Sequence, residues 1–302
     1  MIKVLMFDLW DTLVQGDAVF PHVREALEVF SKFETEAGDR MELCLVSDEE
    51  TATPSRKPDS LHSDFVKLLD KFDLKRFFEP VERRVLFTTW AGSVKAGREA
   101  FEKAAGQLGL PAGLDEYLFI SGNAKRSSAY RKLGMKVLRF NPSDSGDADF
   151  DDWAQAPQLA APLVAPGSSF NRKLGLQIYL SVVYGLDLVS INYATEAGTI
   201  ECRVKKSFPV KFKSGDGVWQ TIETQLPVKA VIKVDKKGKV SSVESEEPNA
   251  EELAESAHFV KTLEDNQQIS RGGGKLKRNE THVLETDEKG QKRLKRKRYT
   301  AI

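Results

Sequence analysis

From the second residue to about residue 140, short apolar runs alternate with stretches of helical period. Residues 2–7 form an apolar run broken only by Lys3, the pattern of a fully buried strand. Residues 21–33 place Val23, Ala26, Leu27 and Phe30 on one helical face. The alternation repeats: residues 41–46, 85–88, 117–120 and 136–140 read as strands. Between them residues 65–72, 98–108 and 125–133 read as helices, the last ended by Gly134. Five strands alternating with helices predict an α/β domain with a parallel sheet covered on both faces. In such sheets ligands bind beyond the carboxyl ends of the strands.

Past Phe140 the pattern changes. Residues 154–169 are rich in Ala and Pro and are expected to form a linker between a domain at 1–153 and a second at 170–302. The second half carries period-2 alternation, clearest at Val228, Ala230, Ile232 and Val234. Strands are expected at 176–183, 199–204, 210–213, 228–234 and 240–243, with one helix at 251–263. Residues 282–285 and 294–299 flank a hairpin turn at 287–290. The second domain is therefore expected to be α+β or mainly β, and no internal repeat makes it a solenoid or propeller.

Composition narrows the function classes. Lys+Arg and Asp+Glu both number 45, so net charge gives no global attraction to nucleic acid or anionic membranes. Cys44 and Cys202 are far apart and lack CxxC or Cys/His spacing, which argues against a disulfide framework or a zinc site. The opening apolar run is shorter than a signal-peptide core, and no apolar run approaches the roughly 20 residues that span a bilayer. A cytoplasmic protein without membrane association is expected. The four histidines, His22, His62, His258 and His282, show no ligand pairing. The acidic stretch 144–152 lacks the ligand spacing of a calcium loop and reads as solvated.

Chemistry is concentrated where predicted strands end. Asp8 to Thr12, Ser47 with Asp48, Lys95, and Ser121 to Asn123 should reach one sheet edge. A carboxylate nucleophile needs hydroxyl and amide donors for a developing oxyanion and a cation to offset its own charge. Asp8 is the candidate nucleophile, with Thr12 and Ser47 as donors and Lys95 as cation; Trp10, Asp11, Ser121 and Asn123 are the candidate substrate or oxyanion contacts.

On these residues the first half of the chain resembles the haloacid dehalogenase superfamily of aspartate-nucleophile hydrolases. Asp8, Thr12 and Leu13 match the first motif, Asp-x-Asp-x-Thr-Leu, with Trp10 in place of its second aspartate. Ser47 at the end of a strand matches the second, and Lys95 ahead of a helix matches the third, with Ala96 where a proline is usual. Ser121-Gly122-Asn123 is similar to the Ser-x-Asn form found in the dehalogenase branch, where an aspartate is expected three residues after the asparagine; here that position is Arg126. The resemblance implies a Rossmann-like fold and an aspartyl intermediate resolved by water. In the phosphatase branch it also implies Mg2+, for which Asp8 is the one expected ligand present, and a general acid at Trp10's position, a task indole cannot perform at neutral pH. Dehalogenases carry an aromatic residue there and use no metal. The residues between Asp8 and Ser47 hold one crossover helix and little more, so no cap is expected at that position.

Three readings follow. The first is a capless hydrolase acting through Asp8 on a phosphorylated or halogenated substrate. The second is a catalytically weak pseudoenzyme whose C-terminal domain binds protein or nucleic acid. The third is a polynucleotide-end or phosphoprotein phosphatase. Lys292, Arg293, Lys295, Arg296, Lys297 and Arg298 are the cations that would hold nucleic acid, or else they protect an edge strand from aggregation.

Overall fold

The computed structural model describes residues 1–47, 58–87, 101–102, 105–106, 108–111, 113–143, 148–192, 198–236, 238–271, 279–286 and 290–297. These fall into two compact units, Met1–Tyr184 with Val234–Val240, and Gly185–Lys233 with Ser241–Ile302.

In the first unit, β1 (Val4–Asp8) is followed by the small hairpin β2 (Val14–Gln15) and β3 (Ala18–Val19), then by β4 (Glu42–Ser47), β5 (Val85–Phe87), β6 (Tyr117–Ser121) and β7 (Lys136–Arg139). Apart from the hairpin, these strands make one sheet of order β5-β4-β1-β6-β7, and every neighbouring pair is parallel. This is the parallel α/β sheet expected from the alternation, in the Rossmann-like form that the resemblance implies. All five residues of β1 are buried because both faces are covered. Leu5 and Phe7 join one core with Phe30, Phe78 and Trp153, while Val4 and Met6 join another with Val46, Phe119 and Tyr130. Phe7 contacts three aromatic rings, those of Phe30, Phe78 and Trp153. Burying a side chain of this size contributes roughly 1.5–3 kcal/mol.

The expected linker at 154–169 is instead structured. A 3-10 turn, Trp153–Gln155, leads into the helix Ala156–Val164, whose Ala156, Leu159, Ala160, Ala161 and Val164 are buried in the first core. Pro157 lies in the first turn, where a missing N–H costs nothing, and only Pro162 interrupts the ladder. The apolar run 176–183, expected as a strand, belongs to the helix Ser169–Tyr184. Asn171, Gly175, Ile178 and Tyr179 are buried at helical spacing, and Gly175 lets this helix meet its neighbour: a Cβ there would lie 2.7 Å from Gln158 Cα. The division between the units accordingly falls at 184/185 and not at 154–169.

The second unit is a seven-stranded mixed sheet. β8 (Asp187–Asn192), β9 (Thr199–Lys213), β10 (Trp219–Val234), β11 (Val240–Ser245), β12 (Ile269–Ser270), β13 (His282–Thr286) and β14 (Lys292–Arg296) run in the order β12-β13-β14-β10-β9-β8, with β11 also paired to β10. The two strands expected at 199–204 and 210–213 are one continuous strand. Pro209 within it lies beyond the end of β8, whose pairing stops at Lys205, so the ladder on that side needs no N–H there. The helix Ala250–Asp265 begins with a reciprocal cap between Asn249 and Glu252, and Val260 packs on Val210, Phe212 and Ile222. The hairpin expected near the C-terminus is the antiparallel pair β13–β14.

Candidate active site

Asp8 is the last residue of the central strand, in register with Val46 of β4; Phe7 is in register with Ile120 of β6. The carboxyl ends of β1, β4 and β6 therefore release Asp8, Ser47 and Ser121 at one edge. After Asp8 the chain turns tightly, with Leu13 and Val14 N–H groups both donating to Leu9 O and Asp11 N–H donating to Val14 O. Asp11 takes the left-handed conformation (φ 55°) that this turn requires, which aspartate tolerates better than most residues.

The opposite wall is the loop from β6 into the helix Ala124–Lys132. Ser121 Oγ donates to Asp8 Oδ2 at 2.9 Å and accepts from Asn123 N–H at 3.0 Å. Gly122 N–H donates to Thr12 Oγ1 at 2.7 Å, which ties the two loops together. A side chain at Gly122 would not fit, because a Cβ would lie 1.9 Å from Asp11 O. Asn123 caps the helix by accepting from Arg126 N–H at 3.0 Å. One turn on, the Arg126 guanidinium forms an ion pair with Asp8 Oδ1.

Asp8 is buried, its side chain only 4% exposed, and that burial pushes its carboxyl up to about 6. Arg126 opposes the shift most strongly, followed by the Ser121 hydroxyl and the Leu9 N–H, while Asp11 adds slightly to it. Asp8 is consequently a carboxylate at neutral pH, with both oxygens in charge-assisted hydrogen bonds.

Thr12 is fully buried, and its hydroxyl oxygen accepts from Gly122. Its carbonyl accepts from Trp153 Nε1 at 2.9 Å. Trp10 is 41% exposed and stands edge-on to Phe72, and Asp11 is exposed beside it. Ser121 contacts Asp8, whereas Asn123 serves the helix start. Ser47 ends β4, and its side chain, like Asp48 and Lys95, lies outside the described residues. In β14, Lys292, Arg293, Lys295 and Arg296 are exposed, as is Lys297 after it; Arg298 is outside the described residues.

Mg2+ binds through carboxylates, waters and phosphate oxygens. Among the described residues no group of three or more Asp, Glu, His or Cys converges, and Asp8 Oδ1 already meets the Arg126 guanidinium. A divalent cation at that oxygen would have to displace the guanidinium, and Asp48, the next carboxylate along this edge, lies outside the described residues.

Two contacts were missed in the sequence. Arg126 was noted there only as a missing aspartate, although its position three residues past a capping Asn123 places it one helical turn from the strand end. Trp153 carried no local signal, because its partner Thr12 is 141 positions away.

No family model and no curated protein matches the chain. Among solved structures, the first unit's fold is similar to a haloacid dehalogenase-like hydrolase from Streptococcus pneumoniae, at 11% identity over 46% of this chain and 85% of that one, with a TM-score of 0.32. A conserved haloacid dehalogenase-like protein of unknown function from Agrobacterium tumefaciens matches at 14% identity, over 46% of this chain and 83% of that one (TM-score 0.27). An uncharacterized protein from Corynebacterium glutamicum matches at 15% identity, over 47% and 86% (TM-score 0.30).

Proposed function

We propose that the first unit is a hydrolase in which Asp8 is the nucleophile and Arg126, in place of a metal ion, is its counter-charge. The observation carrying this reading is the pairing of Arg126 with Asp8 Oδ1 while Ser121 holds Oδ2. A guanidinium fixes the carboxylate in its ionised form and orients it by directional hydrogen bonds, which is what an attacking carboxylate needs. Attack by an Asp8 oxygen forms an aspartyl ester or acyl phosphate as the bond to the leaving group breaks, and water then cleaves the intermediate to restore Asp8.

The leaving group is constrained by Trp10. With indole where a proton donor would stand, the reaction favours groups that depart without a proton, such as a halide or a phenolate of low pKa. Alkyl phosphates require a donor, and exposed Asp11 is the carboxylate at hand. Asn also tolerates φ 55°, so Asp11→Asn keeps the turn and removes only the proton.

The test is a panel of haloacids, aryl phosphates and alkyl phosphates, assayed with Mg2+ and with chelator. Expected are chelator-resistant turnover of haloacids or aryl phosphates and its loss in Asp8→Asn. Equal residual activity in Asp8→Asn and wild type would sink the proposal.

A second reading, a binding module that retains the fold without turnover, is favoured by the closure of Asp8: both oxygens are bonded and its side chain is almost wholly buried. Phosphate mimics separate the two. Tungstate or beryllofluoride should raise the melting temperature of a working site and leave a closed one unchanged.

A further inference from the structure

In the long pair β9–β10 the register is unbroken, and every fully buried residue is even-numbered while every fully exposed one is odd-numbered. The buried side carries Val210, Phe212 and Ile222 under the helix Ala250–Asp265. The solvent side collects cations: Lys213 stands opposite Trp219, Lys211 opposite Thr221, Lys205 opposite Pro227, and Arg203 opposite Lys229. The five cations named in these pairs and Trp219 are all exposed. The single pairing of Glu223 with Arg293 carries the same face onto β14, where Lys295 follows two residues later and forms an exposed ion pair with Glu285, 3.5 Å away.

Two features of this face are not required by folding. Arg203 directly opposite Lys229 is a like-charge cross-strand pair, which costs a sheet stability. Trp219 is 69% exposed, the most exposed of the large hydrophobic side chains described. It walls a groove of about 690 Å³ with Pro209, Thr221, Glu223 and Lys292, large enough for a planar base. On β9 and β10 this face carries Arg203, Lys205, Lys211, Lys213, Lys229 and Lys233 against Glu201 and Glu223, a local excess of positive charge in a chain that is neutral as a whole.

We propose that the uncovered face of β9, β10 and β14 binds single-stranded nucleic acid, with phosphates along the lysine and arginine rows and a base stacked on Trp219. Cationic grooves with an exposed aromatic platform suit unpaired bases, whose faces are open, whereas a duplex presents only its backbone and groove edges. An acidic peptide would satisfy the cations but leave Trp219 without a planar partner. Glu223, in the groove, is an acceptor for a base amino group.

Fluorescence anisotropy of the full chain with labelled oligouridine and oligothymidine of about 12 nucleotides tests this, with an abasic strand of equal length and polyglutamate as competitors. The expected slope of log affinity against log salt is about −3, for four to five neutralised phosphates at about −0.7 each. Reversing two exposed charges (Lys211→Glu with Lys213→Glu, or separately Arg293→Glu with Lys295→Glu) should lower affinity at least about tenfold at unchanged melting temperature. Trp219→Ala should weaken the base-bearing strand and not the abasic one. Preference between uridine and thymidine identifies RNA or DNA as the natural strand. Absence of wild-type binding at low salt, binding indifferent to both double variants, or displacement by polyglutamate at equal charge overturns the proposal.

Discussion

Arg126 and Asp8, 118 positions apart in sequence, form an ion pair at the carboxyl end of the central strand. The arginine comes from the first turn of the helix Ala124–Lys132, and the aspartate from β1. Both side chains are largely buried, at 13% and 4% exposure. A buried pair of this kind is a poor net source of stability, yet removing one partner leaves a charge without compensation and costs about 3–5 kcal/mol. The pair lies at the carboxyl end of the sheet, the edge at which ligands of such sheets bind.

The shift of Asp8 has a definite pH signature. Native Asp8 titrates at about 6 and the unfolded residue at 3.8, so between these values the native state binds the more protons. Stability attributable to Asp8 is therefore present below about pH 4, declines as pH rises through 6, and is flat above, a loss of about 3 kcal/mol. Urea denaturation from pH 3.5 to 7.5 should show this decline in wild type relative to Asp8→Asn, whose curve lacks that component. Parallel curves would contradict the assignment. If Asp8 is the nucleophile, kcat/KM should rise over the same window.

Gly122 keeps the two site loops in contact. Because a Cβ would lie 1.9 Å from Asp11 O, Gly122→Ala must push the turn after β1 away and lengthen the bond from Gly122 N–H to Thr12. Destabilisation of about 2–3 kcal/mol is expected by denaturant titration, together with a change in the titration of Asp8. A stability within about 0.5 kcal/mol of wild type would show that the loops are not locked together.

Gly175 tests the helix pair that replaced the expected linker. Alanine is the better helix former by about 1 kcal/mol, so in an isolated helix Gly175→Ala would stabilise. Here a Cβ would meet Gln158 backbone atoms at 2.7 Å and Pro157 C at 2.8 Å, so the substitution should destabilise the first unit instead. A raised melting temperature would mean that the two helices do not pack as described.

Much of the first unit was legible because buried parallel strands carry continuous apolar runs, and their ends place Asp8 and Ser121 at one edge. The stretch 154–184 was misread for two physical reasons. Ala and Pro mark a linker only when no core lies nearby, and Ala160 and Ala161 are buried against one. The apolar run at 176–183 has period ambiguity, which packing through Gly175 resolves in favour of helix. In the second unit alternation showed the strands but not their register, and register is what places Lys213 beside Trp219. At the site, the motif positions identified the nucleophile candidate, while the identity of its counter-charge depended on how one helix sits against β1.

The central claim, that Arg126 holds the place of a metal ion on Asp8, is tested most directly by electron paramagnetic resonance of Mn2+ titrated into the purified full chain. Wild type is predicted to leave Mn2+ free at millimolar concentration, whereas Arg126→Ala, which frees Asp8 Oδ1 from the guanidinium, is predicted to bind the ion more tightly than wild type. One Mn2+ bound by wild type and released in Asp8→Asn would contradict the account.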